Sequence, residues 1–138
     1  MSKLATVSVG LSVIIFVVVI PFLEVSPTHI FNPEWPSHAR LHVAWQLMTN
    51  AALSMLALGC VWGARSPRIG ISIALIPIVS FLMSFALKSG YGGSLFHTDG
   101  TQMALGGVNV ALLIMIPLTC LLLVSLWKTT APTQTQGV

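Results

Sequence analysis

His29, Asn32, Glu34, Trp35, His38, Arg40 and His42 occupy one short stretch of this chain, and Lys88, Tyr91, His97, Asp99 and Gln102 occupy another. Together the two stretches hold all four histidines. His38 and His42 stand four residues apart, which on a helix puts both imidazoles on one face, able to hold one ion. His97, with Asp99 two residues on, adds a nitrogen and a carboxylate. A set of three nitrogens and one carboxylate suits zinc, or copper or iron where a position stays open. The expected metal ligands are therefore His38, His42, His97 and Asp99, with His29 and Glu34 in reserve. The competing expectation is a hydrogen-bonded cap, in which the rings pair with loop carbonyls, Glu34 and Asp99. Arg40 and Lys88 would either bind an anionic group or extend to the membrane interface, as long basic side chains do near helix ends. Trp45 shares the histidine stripe and would wall a pocket there.

These residues must be positioned by membrane helices. The chain has 138 residues, 55% hydrophobic and 7% charged, against about 25% charged in a soluble domain. Four apolar runs, at about 4–23, 38–63, 69–88 and 101–127, each have roughly the 20 residues that cross ~30 Å of hydrocarbon as helix. The fold expected is all-α, a four-helix transmembrane bundle filling residues 1–128 as one domain, with a disordered tail over 129–138. Two crossings separate the two polar stretches, so both lie on one membrane face. The net charge of +3 is scattered over helix ends and does not indicate nucleic acid. Lys3, Arg65, Arg68 and Lys128 fall on the opposite face from Arg40 and Lys88. The positive-inside bias then predicts both termini in the cytoplasm and the histidine loops outside, periplasmic in a bacterial inner membrane. The first span is about twice the length of a signal-peptide core and lacks an A-x-A site, which predicts a retained helix. Cys60 and Cys120 form no C-x-x-C and read as small apolar fillers.

Local signals refine the layout. Pro27, Pro33 and Pro36 predict an extended, stiff first loop, with Ser37 as N-cap of the second span. Pro77 and Pro117 predict kinks. Ser80, Ser84 and Lys88 form a polar stripe on the third span. Asp99 and Gln102 have capping-box spacing for the fourth span, and Gly107 and Ala111 have the spacing of a close helix contact. Asn50 and Asn109 are expected to be amides turned toward protein. No acidic or basic residue falls near the middle of a span, which argues against an ion pathway.

The run Asn32-Pro33-Glu34-Trp35-Pro36-Ser37-His38-Ala39-Arg40-Leu41-His42 resembles N-P-x-W-P-x-H-A-[RK]-x-H, a signature of small uncharacterised four-helix membrane proteins of bacteria and fungi. The resemblance implies four-helix topology over most of the chain and points to Asn32, Trp35, His38, Arg40 and His42. It implies no activity. Three functions stay open. One is a histidine-rich, metal-binding site at the extracytoplasmic mouth of the bundle, acting on a lipid-soluble substrate. Another is a non-catalytic accessory subunit of a larger membrane complex, or a homo-oligomer. The third is a binder or carrier of a hydrophobic ligand.

Overall fold

The computed structural model describes residues 3–130. Four helical spans run through it: Lys3–Glu24, Ser37–Trp62, Pro67–Tyr91 and Val110–Thr129, each long and apolar enough to cross a membrane. The protein is an all-α, four-helix integral membrane bundle. The first span is α1 (Lys3–Val13), a π-helical segment (Ile14–Val19) and α2 (Ile20–Glu24). The second is α3 (Ser37–Trp62) and the third α4 (Pro67–Tyr91). After a two-stranded hairpin, β1 (Ala104–Leu105) and β2 (Val108–Asn109), comes α5 (Val110–Thr130).

Helix is dictated by the solvent, because in hydrocarbon every backbone N–H must find its carbonyl within the segment. Even the Val- and Ile-rich first span complies. There the ladder widens by one residue, and the Ile20 N–H reaches the Ile15 carbonyl. Wide turns of this kind recur at functional sites. Around the bundle, α1 touches α3 and α5, α4 touches the same two, and α1 meets α4 across the diagonal.

The two ends of the bundle differ. Toward the Arg65–Arg68 turn the contacts are made by small side chains: Ala5, Ser8, Ser12, Ser54, Ala57 and Ala74 are all fully buried. Small residues let helix backbones approach closely where lipid supplies no hydrophobic drive. The Arg68 Nε–H donates to the Thr129 carbonyl at 2.8 Å and ties α4 to the end of α5. This is the closed end. The opposite end, the mouth, carries both histidine-bearing loops. Outward-facing Phe22, Leu41, Met48, Leu87 and Leu113 form an apolar belt compatible with lipid contact.

Several local expectations need correction. The first loop is not extended, because its prolines serve turns. Pro27 follows Ser26 in a turn closed by His29 N–H to the Ser26 carbonyl, and Pro33 follows Asn32 in one closed by Trp35 N–H to the Asn32 carbonyl. Proline at the second turn position pre-sets φ. Pro36, not Ser37, holds the N-cap position of α3, and Ser37 is the first helical residue.

The fourth span begins at Val110 rather than near 101. Gly106 and Gly107 both take positive φ, 60° and 81°, and form the two-residue turn of the hairpin. Gly107 therefore cannot form a helix contact with Ala111. The N-cap is Asn109, whose Oδ1 accepts the Ala111 N–H at 2.9 Å. Asp99 caps its own turn instead, accepting the Thr101 N–H at 2.9 Å. Thr129 and Thr130 continue α5, and the rest of the expected tail, 131–138, lies outside the described residues.

Candidate functional site

The mouth is assembled from the two loops, and Asn32 joins them. Its side chain is 3% exposed. The Asn32 Oδ1 accepts the Glu34 N–H at 2.9 Å, which completes the turn begun by Pro33. The Asn32 Nδ2 donates to the Thr28 carbonyl at 3.3 Å and to Thr98 Oγ1, in the second loop, at 3.2 Å. One amide thus meets three partners on two segments, and this is how the shared membrane face becomes a shared site. Glu34 itself points to solvent.

His29 lies under this turn, half-buried. Its Nδ1 stands 3.0 Å from Thr28 Oγ1 and 3.4 Å from Ser26 Oγ. Its Nε2 lies 3.6 Å from Glu24 Oε2. Trp35 meets the ring edge-on at 5.8 Å between centroids, and His97 meets it edge-on at 5.0 Å. Burial pushes the His29 imidazole below its ordinary pKa, and charge on His97 pushes it the same way. The neutral ring is the favoured form here.

His97 is held by its own loop. Its N–H donates to the Thr101 carbonyl at 2.8 Å and its carbonyl accepts from Gly100 at 3.0 Å. Its Nδ1 meets Thr101 Oγ1 at 3.0 Å, and the Thr101 hydroxyl donates to Asp99 Oδ1 at 2.6 Å. Hydrogen bonds from the Thr101 hydroxyl and backbone hold the Asp99 carboxyl below its ordinary pKa, so it stays an acceptor. The chain Asp99–Thr101–His97 orients the ring much as outer carboxylates orient metal-bound or catalytic imidazoles.

His38 and His42 form a separate pair on the exposed face of α3. Their Nε2 atoms lie 3.0 Å apart, their rings meet edge-on at 4.5 Å, and Trp45, 64% exposed, tilts against His42 at 5.9 Å. No hydrogen bond or ring contact joins this pair to His29 and His97 among the described residues. The four histidines are two pairs, and among the described residues no group of three or more His, Cys, Asp or Glu side chains is arranged to hold an ion. Arg40 and Lys88 are half-buried and line neither cavity of the mouth. Lys88 Nζ sits 4.2 Å over the Phe85 ring. Ser80 and Ser84 stand exposed, away from the cavities, and the Tyr91 hydroxyl donates to the Ser84 carbonyl at 2.9 Å.

Two cavities open where the bundle widens. The outer one, about 350 Å³, lies beneath the loops among His29, Trp35, His97, Thr98 and Asn109. The inner one, about 220 Å³, lies between all four spans. It is bounded by Ile15, Phe16 and Val19 of the π-helical segment and by Pro77, whose missing N–H interrupts the α4 ladder. Its polar side chains are Glu24, Gln46 and Asn50. Leu23, Glu24, Phe81 and Ala111 border both cavities. Glu24 is a site residue that the sequence analysis does not single out. Its place at the end of an apolar run, where a membrane helix meets its mouth, was the available signal.

Comparisons with protein-family models, with curated proteins and with solved structures find no match, so the chemistry rests on these residues alone.

Proposed function

We propose that this protein binds a lipid-soluble small molecule, with its polar end among His29, His97 and Glu24 and its apolar body in the inner cavity. The observation that carries the reading is the pair of adjoining, mainly apolar cavities, with His29, His97 and Thr98 at the mouth and four residues as a common wall. Joined, they fall in the roughly 300–1,000 Å³ range of small-molecule sites, which are mostly apolar with a few placed polar groups. The closed end packs too tightly to let such a molecule pass through, which favours a binder or an enzyme over a channel. The polar stripe of Ser80 and Ser84 has no part in it.

The test uses a neutral probe, dodecyl methyl ether, added to protein in lipid nanodiscs and read by native mass spectrometry. One bound equivalent is expected in the parent. Ala111→Phe, which fills the common wall, is expected to lower the bound fraction by about tenfold, the effect of removing roughly 1.4 kcal/mol of binding energy. Equal binding by a folded Ala111→Phe protein would place the probe elsewhere and end this reading.

A second reading, a transition-metal site, is supported by one distance. Two ligands about 2.1 Å from an ion and at right angles to each other stand about 3.0 Å apart, whereas tetrahedral ligands stand about 3.4 Å apart. The His38–His42 separation of 3.0 Å suits the first arrangement. This narrows the expected ligand set to His38 and His42, because His97 Nδ1 and Asp99 are engaged with Thr101. Copper or iron near one equivalent by elemental analysis, rather than the zinc also expected from the sequence, and lost in His38→Ala/His42→Ala, is the expected result. Equal metal in both proteins would rule it out.

We further propose that the mouth faces the periplasm of a bacterial inner membrane, with both termini cytoplasmic, because Lys3, Arg65, Arg68 and Lys128 gather at the closed end. An impermeant thiol reagent applied to intact cells should label Glu34→Cys and spare Arg65→Cys. The reverse pattern would invert the topology.

A further inference from the structure

The Asp99–Thr101–His97 chain decides which ring nitrogen of His97 carries the proton. The Thr101 hydroxyl has one proton, and Asp99 Oδ1 receives it at 2.6 Å. Its oxygen must therefore act as acceptor toward His97 Nδ1, 3.0 Å away. A neutral His97 then holds its proton on Nδ1, and Nε2 is left as a bare lone pair. His97 lines the outer cavity. The other ionisable groups of the outer cavity are His29 and Glu24, and Glu24 also lines the inner one. Neither cavity is lined by Lys or Arg among the described residues. The site thus holds no fixed cation among the described residues, and His97 Nε2 is an acceptor at its polar end. A carboxylate or phosphate head would find no basic partner there, and burying an unpaired charge is costly. A neutral head that can donate one hydrogen bond meets a ready acceptor.

We propose that the ligand of the mouth is an uncharged, lipid-soluble alcohol or phenol, whose hydroxyl donates to His97 Nε2. The proposal rests on the cavity reading above and names the head group that reading leaves open. Asp99 and Thr101 are positioning residues in it: they fix the acceptor without touching the ligand. Arg40 and Lys88, the expected partners of an anionic group, take no part.

The test compares four probes with one common tail, dodecanol, dodecyl methyl ether, dodecanoate and dodecylamine, on the full-length protein in nanodiscs. Dodecanol is expected to bind about tenfold more tightly than the ether or the carboxylate, the upper range for one hydrogen bond without a competing charge. Thr101→Val is expected to bring dodecanol close to the ether while leaving the ether unchanged. Thr101→Ser, which keeps the hydroxyl, should restore the preference. Nitrogen-15 imidazole shifts should show the Nδ1–H form of His97 in the parent and a larger share of the Nε2–H form in Thr101→Val. The proposal is overturned if the carboxylate or the amine equals the alcohol, if the preference survives Thr101→Val, or if the parent shows the Nε2–H form. Equal binding of alcohol and ether removes the head-group assignment but leaves the cavity reading standing. Failure of all four probes removes both.

Discussion

Asn32→Ala is expected to uncouple the two loops of the mouth and abolish ligand binding while the bundle itself stays folded. The side chain is nearly fully buried and makes three hydrogen bonds, two within the first loop and one to Thr98. Each is worth about 1 kcal/mol net, and the partly buried partners left behind add a fraction of the cost of an unsatisfied group. A loss of about 2–3 kcal/mol in the local stability of the loops follows. Hydrogen exchange separates this from global unfolding: amides of 26–35 and 97–101 should speed up together, while those of α3 and α4 keep their protection. Asn32→Asp gives a sharper contrast. It retains the acceptor for the Glu34 N–H, so the first turn survives, but it cannot donate to the Thr28 carbonyl. Faster exchange confined to the first loop in Asn32→Ala would show that the Thr98 bond does not hold the loops together.

The dependence of the site on loop-to-loop bonds explains which parts of it were legible in the sequence. Hydropathy and length alone reveal the four spans, because lipid leaves the backbone one choice. The parity of crossings also places both loops on one face, and the Asn32–Thr98 bond realises that placement. The i, i+4 spacing of His38 and His42 translates directly into a facing pair, because a helix turns spacing into direction. His29 and His97 obey no such rule. Their contact depends on two irregular loops meeting, and nothing in either loop alone encodes it. The metal expectation drew both pairs together because all four histidines share a membrane face, yet a face is much wider than a coordination sphere.

Elsewhere the signals were present but read in the wrong frame. Gly106-Gly107 between apolar residues is a two-residue hairpin turn, since both positions need positive φ. In a chain otherwise made of membrane helices it looked like a helix-packing motif. Three prolines in one loop predict stiff extended chain, although Asn before proline is a turn opening. The widened turn at Ile14–Val19 has no signature, because six apolar residues satisfy an α- or a π-helix equally well. That segment helps to form the inner cavity, so the feature most relevant to the proposed binding is the least visible in the sequence.

At the closed end the structure makes its other large prediction, that Gly70→Ala will be destabilising, by up to about 2 kcal/mol, although alanine is the better helix former. A Cβ at Gly70 would fall 2.6 Å from Val61 Cγ2, 2.7 Å from the Ala57 carbonyl oxygen and 3.3 Å from Cys60 Cβ. The Val61 methyl can rotate, but the Ala57 carbonyl is backbone and moves only if α3 and α4 separate. Overpacking of this kind costs about 1–3 kcal/mol, more than the ~1 kcal/mol gained by replacing glycine in a helix. Gly59, on the same helix pair, is the control: a Cβ there meets nothing within 4 Å, so Gly59→Ala should match or slightly exceed the parent. Thermal unfolding in detergent decides between them, with Gly70→Ala melting clearly lower and Gly59→Ala not. If both variants melt with the parent, close approach of α3 and α4 is not what holds the closed end. The comparison also bears on the cavity, because α3 and α4 are joined by the tight Arg65–Arg68 turn and contribute Gln46, Asn50, Pro77 and Phe81 to its wall. Helices levered apart at their linked ends change their separation further along. Gly70→Ala, though it touches no cavity residue, is therefore expected to weaken dodecyl ether binding as well, and unchanged affinity would show that the mouth is shaped independently of the closed end.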